Sequence, residues 1–340
     1  MWSQGRFPIG DRPDGRARTG ARLGPSGRDS MHQFAEAASA LGFPAIEINY
    51  VIPLEGVEEL LTSNHVSVVS LHSPTPRVKA GGRWSDALNL AALDEDERVQ
   101  AVRLACTTID YAARAGAPYV VVHLGAIETQ GKPQMFESER RLRRLFDSGV
   151  RPDGLPSQGR PRTGARLGPS GREGEEVEAL RRQTLLERRP GALQNLPQAR
   201  RSLADIADHA AGSGVAVGLE NRFHHHEFPS LHEMHELLGG YPPDLVGFWL
   251  DVGHAEVLDR LGLIPKNRWL DELRDRCLGA HVHDVDGLAD HHAPGLGDVD
   301  WSYIARGLPP DVPRVFEINQ KTPEDAVAAA LPFLRQRGVL

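Results

Sequence analysis

The stretch Leu278–Trp301, LGAHVHDVDGLADHHAPGLGDVDW, holds the densest set of groups able to do chemistry in the chain. An apolar run alternates into His281 and His283, and strand residues two apart point to one face. Asp284, Asp286, Asp290, His291 and His292 follow in a loop punctuated by Gly and Pro. So many imidazoles and carboxylates at one strand end require something to neutralise them. A divalent ion does so, since imidazole suits zinc, iron or manganese and carboxylate suits magnesium or manganese. The competing reading is a solvated polar loop.

The same chemistry recurs along the chain. His72 ends VSVVSLH, His123 ends YVVVH, Glu220 ends VAVGLE and Asp251 ends LVGFWLD, with His254 three residues on and Glu317 inside RVFEI. Taken singly, each has a structural reading. His72 or His123 would be a core histidine, Glu220 or Glu317 an ion-pair partner, and Asp251-x-x-His254 a helix N-cap beside an imidazole. Six successive strands ending in metal-ligand types outweigh those readings. The candidate ligands are therefore His72, His123, Glu220, Asp251, His254, His281, His283, Asp290, His292 and Glu317. Arg222 suits a phosphate or carboxylate. His224, His225 and His226 read as substrate-facing or solvated, because consecutive loop residues rarely share one ion; His226 is the substrate-binding candidate. Asp284 is expected to orient a ligand imidazole, and His291 to be the outward neighbour of Asp290 and His292. Gly295 and Gly297 mark a turn rather than a phosphate cradle.

The elements that must position these groups alternate. Strands are expected at Arg6–Gly10, Ala45–Asn49, Val66–His72, Tyr119–His123, Val215–Glu220, Leu245–Asp251, Gly279–His283 and Arg314–Ile318. Helices are expected at Met31–Leu41, Leu54–Thr62, Asp94–Ala115, around Glu175–Glu187 and Leu196–Ala211, Leu231–Leu238, near Asp271–Cys277, Trp301–Leu308 and Pro323–Gln336. Near-continuous apolar strands between helices argue for a parallel sheet. Eight units predict an α/β fold, a (β/α)8 TIM barrel, whose active site lies at the carboxyl ends of the strands. Residues 1–30 form a weak strand plus an arm expected to be flexible, and 31–340 the catalytic domain, with an insertion over about 130–195. The segment RTGARLGPSGR occurs at Arg18–Arg28 and again at Arg162–Arg172, each preceded by RPDG. Two copies of a Gly/Arg/Pro-rich segment cannot stack a core, so a duplicated insertion is expected, with basic arms around an anionic ligand as the alternative.

Composition sets the remaining bounds. The 340 residues are 40% hydrophobic and 25% charged with a net charge of −7, an acidic balance that disfavours an obligate nucleic-acid binder. Cys106 and Cys277 lie in apolar contexts and imply a reducing compartment rather than disulfides or a thiolate metal site. The N-terminus lacks an apolar core of signal-peptide length, and no run reaches the roughly 18 apolar residues of a membrane span. A cytoplasmic protein with no membrane partner is expected, its oligomeric state open.

The ordered motifs LHSP (Leu71–Pro74), VVHLGA (Val121–Ala126), GLENR (Gly218–Arg222), LDVGHA (Leu250–Ala255), HVHD (His281–Asp284), DHHAPGLG (Asp290–Gly297) and FEI (Phe316–Ile318) resemble the xylose isomerase-like TIM-barrel superfamily. It contains endonuclease IV, sugar isomerases and epimerases, inosose dehydratases and hydroxypyruvate isomerases. The resemblance covers most of residues 31–340. One branch implies a single ion, of manganese or magnesium type, on Glu220, Asp251, His283 and Glu317, with Glu220 and Glu317 trading the substrate proton. The endonuclease IV branch implies three zinc ions, with His281 as the strand ligand and His72, His123, His254, Asp290 and His292 added. There Glu220 bridges two metals and Glu317 orients the nucleophile. Every one of those positions holds the required residue type, so the first reading is a multinuclear, zinc-favoured phosphoester or phosphodiester hydrolase. The sugar or sugar-phosphate isomerase/epimerase is the alternative, and a metal-holding scaffold whose basic arms bind a partner is a third. The His281–Asp290 loop is shorter than in endonuclease IV. A small phosphoester or sugar is thus favoured over nucleic acid.

Overall fold

The structure, a computed structural model, describes residues 2–3, 30–128, 136–149 and 172–340. Eight parallel strands close into a barrel in the order of the chain: β1 (Trp2–Ser3), β2 (Ala45–Ile48), β3 (Ser67–His72), β4 (Tyr119–Val122), β5 (Ala216–Glu220), β6 (Val246–Asp251), β7 (Cys277–Val282) and β8 (Arg314–Phe316). The two-residue β1 closes the ring, with Trp2 registered against both Phe316 and Ile46. The first strand is therefore Trp2–Ser3. Arg6–Gly10, the expected first strand, lies outside the described residues, as do the Arg18–Arg28 repeat, all of the Arg162–Arg172 repeat except Arg172, and most of the inserted segment ahead of the long helix.

Strand parity decides what faces where. On β6, Val246, Phe248 and Leu250 join the large core between strands and helices, while Trp249 joins Val121 and Val315 in a separate cluster inside the barrel. The same alternation puts Leu219, Ala280 and Phe316 outward. Glu220, His281 and Glu317 then share the inward face near the strand ends. Trp249 fills the barrel because its neighbours have no side chain. A Cβ on Gly279 would lie 2.3 Å from Trp249 Cζ3, and one on Gly218 3.0 Å from Cε3.

The helices lie outside this ring, with caps that explain their starts. Ser30 and Ser230 form capping boxes for α1 (Met31–Ala40) and the later helix Leu231–Leu238; α2 (Leu54–Leu61) follows α1, and Asp94 caps α3 (Glu95–Ala115), which ends at Gly116 with φ +66°. The two helices expected over Glu175–Glu187 and Leu196–Ala211 are one continuous helix, Arg172–Ala210, carrying Pro190 and Pro197 internally. Its tertiary seat outweighs the proline cost: Arg98 of α3 donates to Asp205 and Ser202 across the contact. Among the described residues, no helix is long and apolar enough to cross a membrane.

Candidate functional site

At the carboxyl ends of the strands the inward residues converge on Glu220, 1% exposed. Its Oε2 lies 3.1 Å from His72 Nε2 and 2.9 Å from His123 Nε2. Its Oε1 faces His254 Nδ1 at 3.2 Å, His281 Nδ1 at 3.7 Å and Arg222 Nη1 at 3.7 Å. Burial works against its charge, but the imidazoles of His123, His254 and His281 hold Glu220 well below the usual carboxylate range. Asp251, fully buried, caps the helix Val252–Arg260 by accepting from the His254 N–H at 2.7 Å, so the N-cap reading of Asp251-x-x-His254 holds. The Asn221 amide ties the two strand ends together, donating to the Asp251 carbonyl at 2.9 Å and accepting its N–H at 2.7 Å.

His281 and His283 occupy the same face but differ in chemistry. His283 Nδ1 accepts the backbone N–H of His291 at 2.8 Å. An imidazole nitrogen that accepts carries no proton, so the His283 proton sits on Nε2, 3.0 Å from Asp251 Oδ1. His281 is arranged the other way round. Its Nε2 lies 3.2 Å from both oxygens of Glu47. Its Nδ1 is buried with no hydrogen-bond partner, yet has Glu317 Oε2 at 3.2 Å and Glu220 Oε1 and Asp251 Oδ2 at 3.7 Å. Nδ1 thus stands among three carboxylates, with the far side of the ring held by a fourth, the arrangement of a histidine that can exchange its proton for a metal ion.

Glu47 is the group that the motifs missed. It is wholly buried and accepts from Ser70 Oγ at 2.7 Å. The available signal was parity: in AIEI it is a charge flanked by isoleucines, on the inward positions.

Three placements differ from expectation. The loop after β7 is a hairpin, Asp284–Asp286 pairing with Ala289–His292. In it His291 has φ +60°, which breaks the alternation and turns both Asp290 and His291 inward. His291 Nδ1 lies 2.7 Å from Asp290 Oδ1, and its ring stacks on His283 at 4.3 Å. His292 stays half-buried, outside the clustered groups found among the described residues. Asp284 orients no imidazole: its carboxylate accepts from the N–H groups of Val285, Gly295 and Val299 and from the Trp301 indole, pinning the loop. His226 lies with His224 around Glu139, on the helix α4 (Glu137–Asp147). Asp290 approaches His254 Nε2 at 3.8 Å, so all the remaining candidate ligands meet at one barrel mouth.

Beside the cluster a cavity of about 860 Å³ is lined by Tyr50, Arg83, His123, Glu128, Arg222 and Glu227, among others. Arg222 Nη2 donates to Glu227 at 2.9 Å, while Nε and Nη1 are buried without a hydrogen-bond partner.

Fold and site together define a TIM barrel with a polyhistidine–carboxylate mouth. The chain belongs to the xylose isomerase-like TIM-barrel family, whose model matches residues 35–149 and 174–337. The uncharacterized protein y4fM of Sinorhizobium fredii (strain NBRC 101917 / NGR234) is 29% identical over 126 residues. That match spans 37% of this chain and only 39% of the relative. Among solved structures, a D-allulose 3-epimerase from Methylomonas sp. in complex with D-allulose superposes with a TM-score of 0.57 at 16% identity, covering 94% of this chain and 93% of that one. The IolI protein with a bound zinc atom gives 0.54 at 14% identity, covering 92% and 93%. At these identities the likeness speaks for the fold.

Proposed function

We propose that this chain is a divalent-metal-dependent isomerase or epimerase of sugars or sugar phosphates. The observation that carries the reading is the unpartnered His281 Nδ1 set among Glu220, Asp251 and Glu317. Three carboxylates and one imidazole fit a single manganese-, magnesium- or zinc-type ion, with Glu47 fixing the imidazole from behind. His283, whose Nε2–H faces Asp251, would orient that carboxylate rather than bind. Such an ion, when bound, polarises a substrate hydroxyl or carbonyl and makes the neighbouring C–H acidic. Glu220 and Glu317 flank His281 from different strands, so one can take a proton from the substrate carbon and the other return one. His72 and His123 hold Glu220 in orientation. Arg222, at the cavity wall with Nε lacking a hydrogen-bond partner, favours a small substrate carrying a phosphate or carboxylate. A sugar epimerase among the structural neighbours supports this reading over the hydrolase that the ligand count first suggested.

One observation keeps the multinuclear phosphoester hydrolase as a second reading: both oxygens of Glu220 are faced by imidazoles, as a metal-bridging carboxylate requires. His123→Ala separates the two. In the isomerase it leaves the metal content unchanged and retains most solvent-deuterium exchange into ketose substrates, whereas Glu317→Gln lowers exchange about 10²–10⁴-fold. A variant His123→Ala that has lost one ion and its phosphodiester hydrolysis would sink the isomerase reading.

A further inference from the structure

Beyond the barrel mouth, the loop after β5 and the helix α4 bring a second set of donors together. Glu139 is 2% exposed, and two histidines turn the same ring atom toward its carboxylate. His224 Nδ1 lies 3.0 Å from Oε1 and His226 Nδ1 3.6 Å from Oε2. A hydrogen-bonded carboxylate would account for His224 alone. It does not account for His226, whose Nδ1 is buried with no hydrogen-bond partner. The rings are held in place: Phe136 stacks on His226 at 4.6 Å, His224 and His226 stack on each other at 5.2 Å, and Phe223 meets His224 edge-on at 4.9 Å. Arg143 donates to Oε1 at 2.9 Å and to the Phe223 carbonyl, which leaves Oε2 open except for the His225 N–H at 3.2 Å.

We propose that Glu139, His224 and His226 form a separate site for one zinc-type ion that clips α4 to the loop leading from Glu220. The spacings suit it. Tetrahedral zinc with bonds of about 2.0–2.1 Å sets its ligand atoms about 3.3 Å apart, and one ligand atom from each of the three residues already lies within 4.8 Å of the others. Two imidazoles and one carboxylate make up a ligand set typical of zinc, with a fourth position left for water. The site lies close to the surface, for the His224 and His226 side chains are 42% and 26% exposed. The His-x-His spacing brings the outer two of three consecutive histidines to Glu139, while His225 is outside that group and lines a separate groove with Arg188 and Glu233, so no three neighbours share the ion. The clip joins residues 85 positions apart in sequence and fixes the loop that carries Arg222 beside the cavity.

The test uses the full chain and Zn²⁺ alone. In a protein whose barrel cluster is disabled by Asp251→Asn and His281→Ala, one equivalent of Zn²⁺ should still bind, with a rise in melting temperature. Adding Glu139→Gln, which keeps the shape and the Arg143 contact, or His226→Ala, should abolish that binding. Co²⁺ in the same protein should show the visible bands of a tetrahedral site, absent from both triple variants. If the barrel-disabled protein takes up no Zn²⁺ while retaining its folded circular dichroism, or if the triple variants bind it equally, the clip is overturned and Glu139 is a hydrogen-bond hub. Neither result bears on the isomerase reading, which rests on the other cluster.

Discussion

Glu47 shows how much a single side chain can decide. His281 turns Nδ1 to the cluster while a carboxylate stands at Nε2, so that Nδ1 is the nitrogen an ion would deprotonate, and a neutral amide there weakens that choice of tautomer. Glu47→Gln should therefore lower Mn²⁺ or Zn²⁺ affinity of the barrel cluster about 10–100-fold, as loss of such an outer partner does elsewhere, with the far-UV spectrum intact. Calorimetric titration checks it, and unchanged affinity would show that Glu47 only fills space. The residue was absent from the motif reading because a lone Glu in a short strand resembles any ion-pair partner; its partner lies 234 positions away. The donor types at strands three to eight were legible because polar residues there interrupt apolar runs. His291 and His292 were exchanged because strand parity was counted through a residue whose φ of +60° breaks it.

At the scale of elements, the barrel floor depends on complementary sizes on neighbouring strands. Trp249 on β6 fits because β5 and β7 present Gly218 and Gly279 to it. Gly279→Ala would set its methyl 2.3 Å from the indole and should cost about 1–3 kcal/mol, the usual range for overpacking. Trp249→Phe in the same protein should recover part of that loss, because the smaller ring vacates the space. Urea denaturation of the two single variants and the double checks the coupling; additive losses would refute the steric account. Strand and helix bounds were legible to within a few residues from period-2 and period-3.6 patterns and caps. The continuous helix Arg172–Ala210 was not, since Pro190 and Pro197 read as breaks until tertiary contacts such as Arg98–Asp205 are known.

Across the whole molecule, buried histidines of opposite tendency set the pH dependence. Burial and the Arg222 charge press His123 down to about 3, and burial and Arg188 press His225 to about 4. Burial opposes charge on His254 too, but Asp251 and Glu220 lift it to about 9, and Glu47 and Glu317 likewise raise His281 well above the ordinary value. Unfolded histidines titrate near about 6.5. Below that, the unfolded chain binds protons that His123 and His225 refuse, so stability falls with falling pH. The decline steepens below about 4.5 as carboxylates such as Glu227, held at about 2 against its burial by Arg222, begin to protonate in the unfolded chain. Above about 6.5 the unfolded chain loses the protons that His254 and His281 keep, so stability falls with rising pH until those two titrate. The metal-free protein should be most stable near pH 6–7 in urea titrations. Zn²⁺ should flatten the alkaline limb by taking the place of those protons. A maximum above pH 8 without metal would contradict the assignment.

Local pattern alone determined the barrel and the kinds of donor at its mouth, because both follow from periodicities confined to a few neighbouring residues. Closure by Trp2–Ser3, the tautomers of His281 and His283, the turn of His291 and the meeting of Glu139 with His224 and His226 were decided by tertiary structure. Each depends on which distant side chain supplies the hydrogen-bond partner or the space, and spacing along the chain carries no record of that.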